Sequence, residues 1–249
     1  MISATVLNMA GKRLERELSA GSSILDMKKL LYCEWDVPPS FQIILRDSLA
    51  TRDTDLITGD AVYSCVTSVE QGCKELPSLF DHAPEEVKVQ SLKYLAKHCP
   101  PHLVGNSLAI TAAASFLGDA NINTRAEAMH TIAAVAEAGD QYVIRKLASA
   151  IEDQYDFDFD TVMMASIKGL VKIGSGDVYA IQALQAPANA TMHQLLSGAI
   201  SKATRDAAIQ ALEDMGVEVE DPAAADIEEE EEDEDEDEDE DEELPMCAC

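Results

Sequence analysis

The chain has 249 residues, of which 47 are acidic and 18 are basic, so its formal net charge at pH 7 is −29. Residues 228–243 are 16 consecutive acids, and the remaining 31 acidic and 18 basic residues still give a net charge of −13. A chain this acidic is a poor binder of nucleic acid. It shows no secretory signal and no apolar run long enough to span a bilayer, which predicts a cytoplasmic or nuclear protein.

The cysteines and acidic residues do not form a recognisable metal site. The six cysteines are scattered, and none of their spacings fits zinc. Asp156, Asp158 and Asp160 alternate as at the start of a calcium-binding loop. The loop's sixth position is Thr161 instead of Gly, however, and its twelfth is Ile167 instead of Glu. No catalytic or nucleotide-binding fingerprint is present, so we predict no metal, no cofactor and no catalytic residue.

Residues 1–70 have the pattern of a small sheet packed on one helix. Ser22-Ser23 offers a helix cap before an apolar helical stripe, and Pro38-Pro39 ends that helix. Ala10-Gly11 is typical of a tight turn between two strands. Strands are predicted at 2–6, 14–18, 42–45 and 61–66. The predicted order is therefore ββαββ.

This pattern resembles the ubiquitin-like β-grasp over about residues 2–69. Gly11-Lys12 after the first strand and Pro38-Pro39 after the helix stand in that family's order. The stretch between Leu49 and Ala61 is shorter than in ubiquitin itself. Arg16 stands where the family has a buried apolar residue, which predicts a shifted or frayed second strand.

The resemblance implies a partner-binding apolar patch on the sheet. By position, Met9, Leu45 and Cys65 would carry this patch, with Tyr63 beside it. The alternative is that some of these residues pack against the helical part of the chain. Because no Gly-Gly follows the last strand, the resemblance implies an integral docking module and not a conjugated tag.

Residues 121–140 form the clearest predicted helix, with Asn123 or Thr124 as its cap and Gly139 at its end. Its spacing recurs about 37 residues earlier and about 38 and 80 residues later, which indicates structural repeats. The first member of each set is a base except in the third. The four sets are Lys88, Ser91, Leu95 and His98; Arg125, Ala128, Ile132 and Val135; Met163, Ser166, Leu170 and Ile173; and Arg205, Ala208, Leu212 and Met215.

Further helices are predicted between these copies, at 103–117, 142–153, 178–185 and 192–203. Residues 85–216 resemble HEAT or armadillo-type repeats. The segments Arg125-Ala126-Glu127-Ala128 with Gly139-Asp140, and Arg205-Asp206-Ala207-Ala208 with Gly216, carry this resemblance. It implies an all-α solenoid over 71–217. The alternative is an ordinary Ala-rich helical bundle.

The repeat register predicts a row of bases on one face of the stacked helices. Lys93, His130 and Lys168 occupy equivalent positions, and Lys172 follows one turn later. The acidic tail, residues 218–249, is predicted to be disordered and to contact this row within the same molecule. We predict no membrane contact unless Cys247 and Cys249, which resemble the lipidated Cys-x-Cys ends of Rab-type GTPases, are modified.

Together these patterns predict a non-enzymatic scaffold or adaptor for other proteins. The ubiquitin-like module would dock one partner, and the helical repeats would hold another. Two alternatives stay open at this point. One is an acidic chaperone for histones or other basic proteins, and the other is an enzyme on a HEAT-like scaffold, such as a lyase.

Overall fold

The computed structural model describes residues 1–57, 61–152, 159–196 and 200–219, which form a mixed sheet followed by helices. The sheet has five strands in the order β2-β1-β5-β3-β4. Strands β1 and β5 are parallel, and the other neighbours are antiparallel. The strands are β1 (Ile2–Asn8), β2 (Arg13–Leu18), β3 (Gln42–Arg46), β4 (Leu49–Ala50) and β5 (Val62–Thr67). The two-residue β4 has no counterpart among the predicted strands.

Helix α1 (Ile24–Trp35) covers one face of this sheet. Its first turn is fixed by a capping box, in which Ser23 and Asp26 each accept from the other's backbone N–H. Lys28 is buried and pairs with Asp53 at 2.8 Å. The apolar core between the sheet and α1 contains Ala4, Val6, Leu14, Ile24, Met27, Leu31, Ile44, Ile57, Tyr63 and Cys65.

The second strand is neither shifted nor frayed, so the expectation drawn from Arg16 is wrong. Strand β2 pairs with β1 without interruption, and Arg16 lies opposite Ala4. The small Ala4 leaves room for the long side chain, whose guanidinium reaches the Glu34 carboxylate on α1. The arginine stem can therefore lie over the sheet while its charge stays near water.

The sheet is joined to the helices through a shared core. Ser68 caps helix α2 (Val69–Glu75), and Phe41, in the 3₁₀ turn before β3, is fully buried in the apolar core of the helical region. The Phe41 ring lies 4.7 Å from that of Tyr94. A Cβ atom at Gly72 would overlap the Phe41 ring, so only glycine permits this close approach.

The remaining helices form two layers. One layer holds α3 (Glu85–His98), α5 (Ile122–Val135), α7 (Phe159–Ile173) and α10 (Lys202–Asp214), which we call the front helices. The other holds α4 (Ser107–Ala114), α6 (Gln141–Glu152) and α8 (Val178–Ala188), the back helices. The short α9 (Met192–Leu196) follows α8. The four predicted repeat helices are thus all present, whereas the helix predicted at 192–203 is divided between α9 and the start of α10.

Neighbouring front helices run parallel to one another. At their first turns, Asn123 of α5 donates to Glu85 of α3, at 3.1 Å from Nδ2 to Oε1. Further along, the Thr131 hydroxyl donates to the Leu92 carbonyl at 3.2 Å. Asp160, near the start of α7, accepts from the Thr204 hydroxyl near the start of α10 at 2.8 Å. Each helix is therefore related to the next mainly by a sideways displacement.

The second position of each predicted set holds a small residue in the interior of the helical region. These residues, Ser91, Ala128, Ser166 and Ala208, are all fully buried. Asn121, and not Asn123 or Thr124, caps α5, because its side chain accepts from the N–H groups of both.

A glycine followed by an Asn or Asp opens each back helix. Gly105, Gly139 and Gly176 have φ values of +73°, +82° and +77°, which favour glycine over residues with a Cβ. The next residue caps the helix in each case, namely Asn106 for α4, Asp140 for α6 and Asp177 for α8. The Gly105 and Gly139 N–H groups donate at 2.7 Å to the last carbonyls of α5 and α7. The loops therefore repeat along with the helices.

Candidate partner-binding surfaces

The solvent face of the sheet carries an apolar row. Leu7 of β1 and Leu45 of β3 flank Ser64 of β5, because the strand registers place Ser64 opposite both leucines. Val62 is 56% exposed beside them. We call the surface made by these residues and their neighbours the sheet face; its members are Leu7, Ile43, Leu45, Val62, Ser64 and Val66.

Two of the residues predicted for this patch lie on the opposite side. Tyr63 and Cys65 are only 1% and 2% exposed and belong to the core under α1, so they cannot contact a partner. Burial raises the pKa of the Cys65 thiol to about 11, which keeps it protonated near neutral pH. Leu45 is half-buried and Met9 is 78% exposed at the end of β1, so both are accessible.

Tyr63 and Cys65 were assigned to the wrong face of the sheet because successive side chains of a strand point to opposite faces. Strand β5 contains the run Val62, Tyr63, Ser64, Cys65 and Val66, which places apolar residues on both faces of the sheet. The pattern alone does not say which set faces the helix. The bulk of Tyr63 compared with Ser64 was the available signal, since a large aromatic gains more by burial.

The front helices enclose an open groove. One section, of about 510 Å³, lies between α3 and α5 and reaches α7. A second section, of about 350 Å³, lies between α5, α7 and α10. His130 and Thr161 line both sections, so the groove is continuous. Among the described residues no helix covers this face.

The predicted bases lie on the groove side of the front helices. Lys93, His130 and Lys168 line the groove, and all three are exposed. Lys172 is exposed one turn beyond Lys168 on α7. Lys97 is exposed one turn beyond Lys93 on α3, and we call these five residues the basic row.

Opposite charges are distributed unevenly along the groove. Glu85 and Glu86 lie at the start of α3, whereas Lys97 and Lys172 lie in the last turns of α3 and α7. Because the front helices are parallel, Lys97 and Lys172 lie toward the end of the front face opposite Glu85 and Glu86. The end of α10 adds the acidic Glu213 and Asp214 on the same side as the two lysines. Cations at helix C-termini also interact favourably with the helix dipole, by about 0.3–1 kcal/mol each.

Two titratable groups on α5 are perturbed by this environment. Burial raises the pKa of Glu127, although the nearby charge of Lys93 opposes that rise. Desolvation by its neighbours lowers the pKa of His130 although the residue is exposed, and the charge of Lys168 lowers it further. His130 therefore tends to be neutral at pH 7, and the lysines supply most of the positive charge of the row.

The bases that open the repeat sets have a structural role. Lys88 forms a 2.7 Å ion pair with Asp119, and the two side chains are 12% and 4% exposed. Arg125 donates to the carbonyls of Asp119 and Ala120, and Arg205 donates to the carbonyl of Ala188. These contacts tie α3 and α5 to the loop that precedes α5, and they tie α10 to the end of α8. The third set opens with Met163, which is not a base.

Asp119 is held in its charged form. Burial alone would raise its pKa, but hydrogen bonds from Lys88 and the Asn121 N–H, with the charges of Lys88 and Arg125, outweigh burial and leave the pKa lowered.

Several predictions fall partly or wholly outside the described residues. Asp156 and Asp158 of the calcium-like pattern, the acidic block 228–243, and Cys247 and Cys249 all lie there. Asp160 is described, and its carboxylate accepts from the Ser201 N–H and the Thr204 hydroxyl. The described residues bring no group of three or more His, Cys, Asp or Glu into an arrangement that could hold a metal ion. None of their helices is long and apolar enough to cross a membrane.

No protein-family model matches the chain, and no curated protein matches it. Among solved structures, the chain is similar to a crystal structure of ATBAG1 in complex with HSP70. The identity is 12% and the TM-score 0.29, over 87% of this chain and 96% of that one. A likeness at that TM-score carries no argument about fold or partner.

Proposed function

We propose that this chain is a non-enzymatic adaptor with two docking surfaces of different chemistry, the sheet face and the groove. The observation that carries the proposal is the groove, which is continuous across four parallel helices and uncovered among the described residues. Its exposed floor mixes carboxylates, lysines and an imidazole. Such a surface suits an extended polar segment of a partner.

The proposal includes a ubiquitin-like sheet unit (residues 1–67) and a solenoid-like helical unit (residues 69–219). The strand order β2-β1-β5-β3-β4 with one helix across it supports the first. The parallel front helices and the repeated glycine–Asx loops support the second. Apolar contact at the sheet face would resist salt, whereas contact at the groove would weaken as salt screens the charges.

Site-specific photo-crosslinking in cells tests the adaptor role. A photoreactive amino acid is placed at Ser64 in the sheet face, at Thr161 in the middle of the groove, and at the exposed Ser19 as a matched control. We expect reproducible protein adducts at the first two positions, with different partners at each. Adducts no more abundant than those at Ser19 would contradict the proposal.

A further inference from the structure

We propose that the acidic block 228–243 of this chain docks on the basic row of the groove and covers it until a partner displaces it. The inference adds regulation to the proposed groove and rests on that groove being a binding surface. It depends on three observations, namely the free charge in the row, the place where the chain leaves the fold, and the length of the segment that follows.

The lysines of the basic row are not neutralised by ion pairs within the described part of the chain. Lys93, Lys97, Lys168 and Lys172 form no ion pair with any described residue. Glu127, whose pKa the charge of Lys93 lowers against the effect of burial, is partly buried. The acidic residues at the start of α3 lie toward the opposite end of the groove. In a chain with a net charge of −29, the four lysines of this row are therefore cations without an ion-pair partner among the described residues, although Glu85, Glu86 and Glu127 line the same section of the groove as Lys93.

The described part of the chain ends on the side of the front face where Lys97 and Lys172 lie, although Glu213 and Glu218 are its immediate neighbours. Helix α10 ends at Asp214, and its C-terminal end is on the same side as those of α3 and α7, which carry Lys97 and Lys172. Val217 and Val219 pack against the helical core. The segment that follows therefore starts close to the charges it would contact.

The segment is also long enough to reach every lysine of the row. The acidic block begins nine residues after Val219, and nine extended residues span up to about 30 Å. Adjacent packed helices lie about 8–10 Å apart, so α3 is about 24–30 Å from α10. The start of the block can reach α7 easily, and the remaining acids can extend across α5 to α3.

Many weak contacts would hold the block loosely. Each exposed ion pair contributes about 0–1 kcal/mol, and the tether gives the block an effective concentration on the order of millimolar at the groove. Salt screens these contacts over about 8–10 Å at physiological ionic strength. The cover is therefore reversible and salt-sensitive, and a tighter partner can replace it.

The first test compares the full-length chain with a full-length variant in which the 16 acids are replaced by Gln and Asn. We expect NMR signals of Lys93, Lys168 and Lys172 to differ between the two proteins at about 20 mM salt. The differences should vanish near 0.5 M salt, where the Debye length is only about 4 Å. Identical groove signals at low salt would overturn the proposal.

A competition experiment separates specific docking from general charge attraction. A fluorescent peptide of residues 226–244 should bind the neutral-tail variant about tenfold more tightly than wild type, whose tethered block competes at millimolar effective concentration. In the neutral-tail background, Lys93→Gln/Lys168→Gln/Lys172→Gln should weaken peptide binding at least tenfold. The matched control Lys12→Gln/Lys29→Gln/Lys146→Gln removes the same charge from other surfaces and should weaken it less than threefold.

Equal weakening in the two triple variants would overturn the proposal, because it would show attraction to the whole protein and not to the row. Neither experiment contains a partner protein. Negative results in the NMR and peptide experiments would therefore leave the crosslinking result at Ser64 and Thr161 unaffected. A negative crosslinking result would likewise leave the NMR comparison valid.

Discussion

The sheet unit and the helical unit leave different kinds of surface uncovered. The sheet unit buries one face under α1 and keeps an apolar row around Ser64 on the other. The helical unit covers its front helices from behind only and leaves a charged groove. An apolar surface gains contact free energy from removing water, whereas a charged one gains it from salt-dependent pairing. The proposed adaptor role therefore predicts two partners that do not compete.

The largest expected effect is at the junction between the units. Phe41→Ala removes a fully buried ring that the sheet unit contributes to the helical core, and we expect it to lower the free energy of unfolding by about 3–5 kcal/mol. Phe116→Ala is the matched control, because Phe116 is equally buried but lies wholly within the helical unit. In chemical denaturation monitored for each unit separately, only Phe41→Ala should separate the two transitions. Coincident transitions in both variants would show that Phe41 does not couple the units.

The buried ion pair of the helical unit should contribute nearly as much. Lys88→Ala leaves Asp119 as a buried carboxylate without its main partner, and we expect a loss of about 3 kcal/mol. Lys74→Ala breaks an equally short but exposed pair with Glu70 and should change stability by less than about 1 kcal/mol. Urea denaturation at pH 7 measures both. Similar small losses would mean that the Lys88 pair is as well solvated as a surface pair.

The same pair predicts a pH dependence. The pKa of Asp119 is lowered from its ordinary value of 3.8 in the folded protein, so its contribution is fully present above that value and is lost as the pH falls through the lowered pKa. The stability difference between wild type and Lys88→Ala should therefore shrink below about pH 3.8. A difference that stays constant from pH 7 to pH 2.5 would rule out a charged pair.

A smaller effect is expected in the loops that repeat along the helical unit. Gly139→Ala places a Cβ at φ +82°, where no other atom lies within 4 Å, so backbone strain alone should lower stability by about 1 kcal/mol. Gly118→Ala is the control, because its site is equally open and its φ is not positive. Thermal denaturation should show a lower midpoint for the first variant only. Equal midpoints would indicate that the loop can adopt another conformation without a loss of stability.

The smallest predicted change is a gain. The buried Ser166 hydroxyl has no hydrogen-bond partner among the described residues, and alanine occupies the equivalent place at 128 and 208. Ser166→Ala should therefore stabilise the protein by about 1 kcal/mol. Thr131→Val should instead destabilise it by about 1 kcal/mol, because the Thr131 hydroxyl donates to the carbonyls of Leu92 and Glu127. If chemical denaturation shows that the free energy of unfolding changes in the same direction in both variants, this distinction is contradicted.

The repeats made the helical unit easier to predict than the sheet unit. Four copies of one pattern fixed the register of the front helices and placed Lys93, His130 and Lys168 on the same face. The pair Gly105-Asn106 belongs to the same series of loops as Gly139-Asp140 and Gly176-Asp177, but it carries Asn where the other two carry Asp. The sheet unit offered a single copy of each strand. Without a second copy to compare, the pattern of β5 did not show which residues face α1, and Tyr63 and Cys65 were predicted on the wrong face.

Other features depend on contacts that are distant in sequence. The burial of Phe41 in the helical core requires Gly72 and Tyr94 to lie beside it, and neither residue is marked by its local pattern. Similarly, the contact of Arg16 with Glu34 joins residues 18 positions apart, and the small Ala4 lies opposite the arginine. Sequence periodicity predicts which residues share a face, but it does not predict what covers that face.

The most direct test of two chemically different docking surfaces is quantitative partner capture at two salt concentrations. Wild type, Ser64→Asp, the control Ser19→Asp and Lys93→Gln/Lys168→Gln/Lys172→Gln are compared by mass spectrometry at about 50 mM and about 500 mM salt. All are exposed substitutions that should shift stability by about 0.5 kcal/mol or less each. We predict one partner set that Ser64→Asp abolishes and that persists at high salt, and a second set that the lysine variant abolishes and that high salt removes. A single set, lost from both variants with the same salt response, would contradict the account.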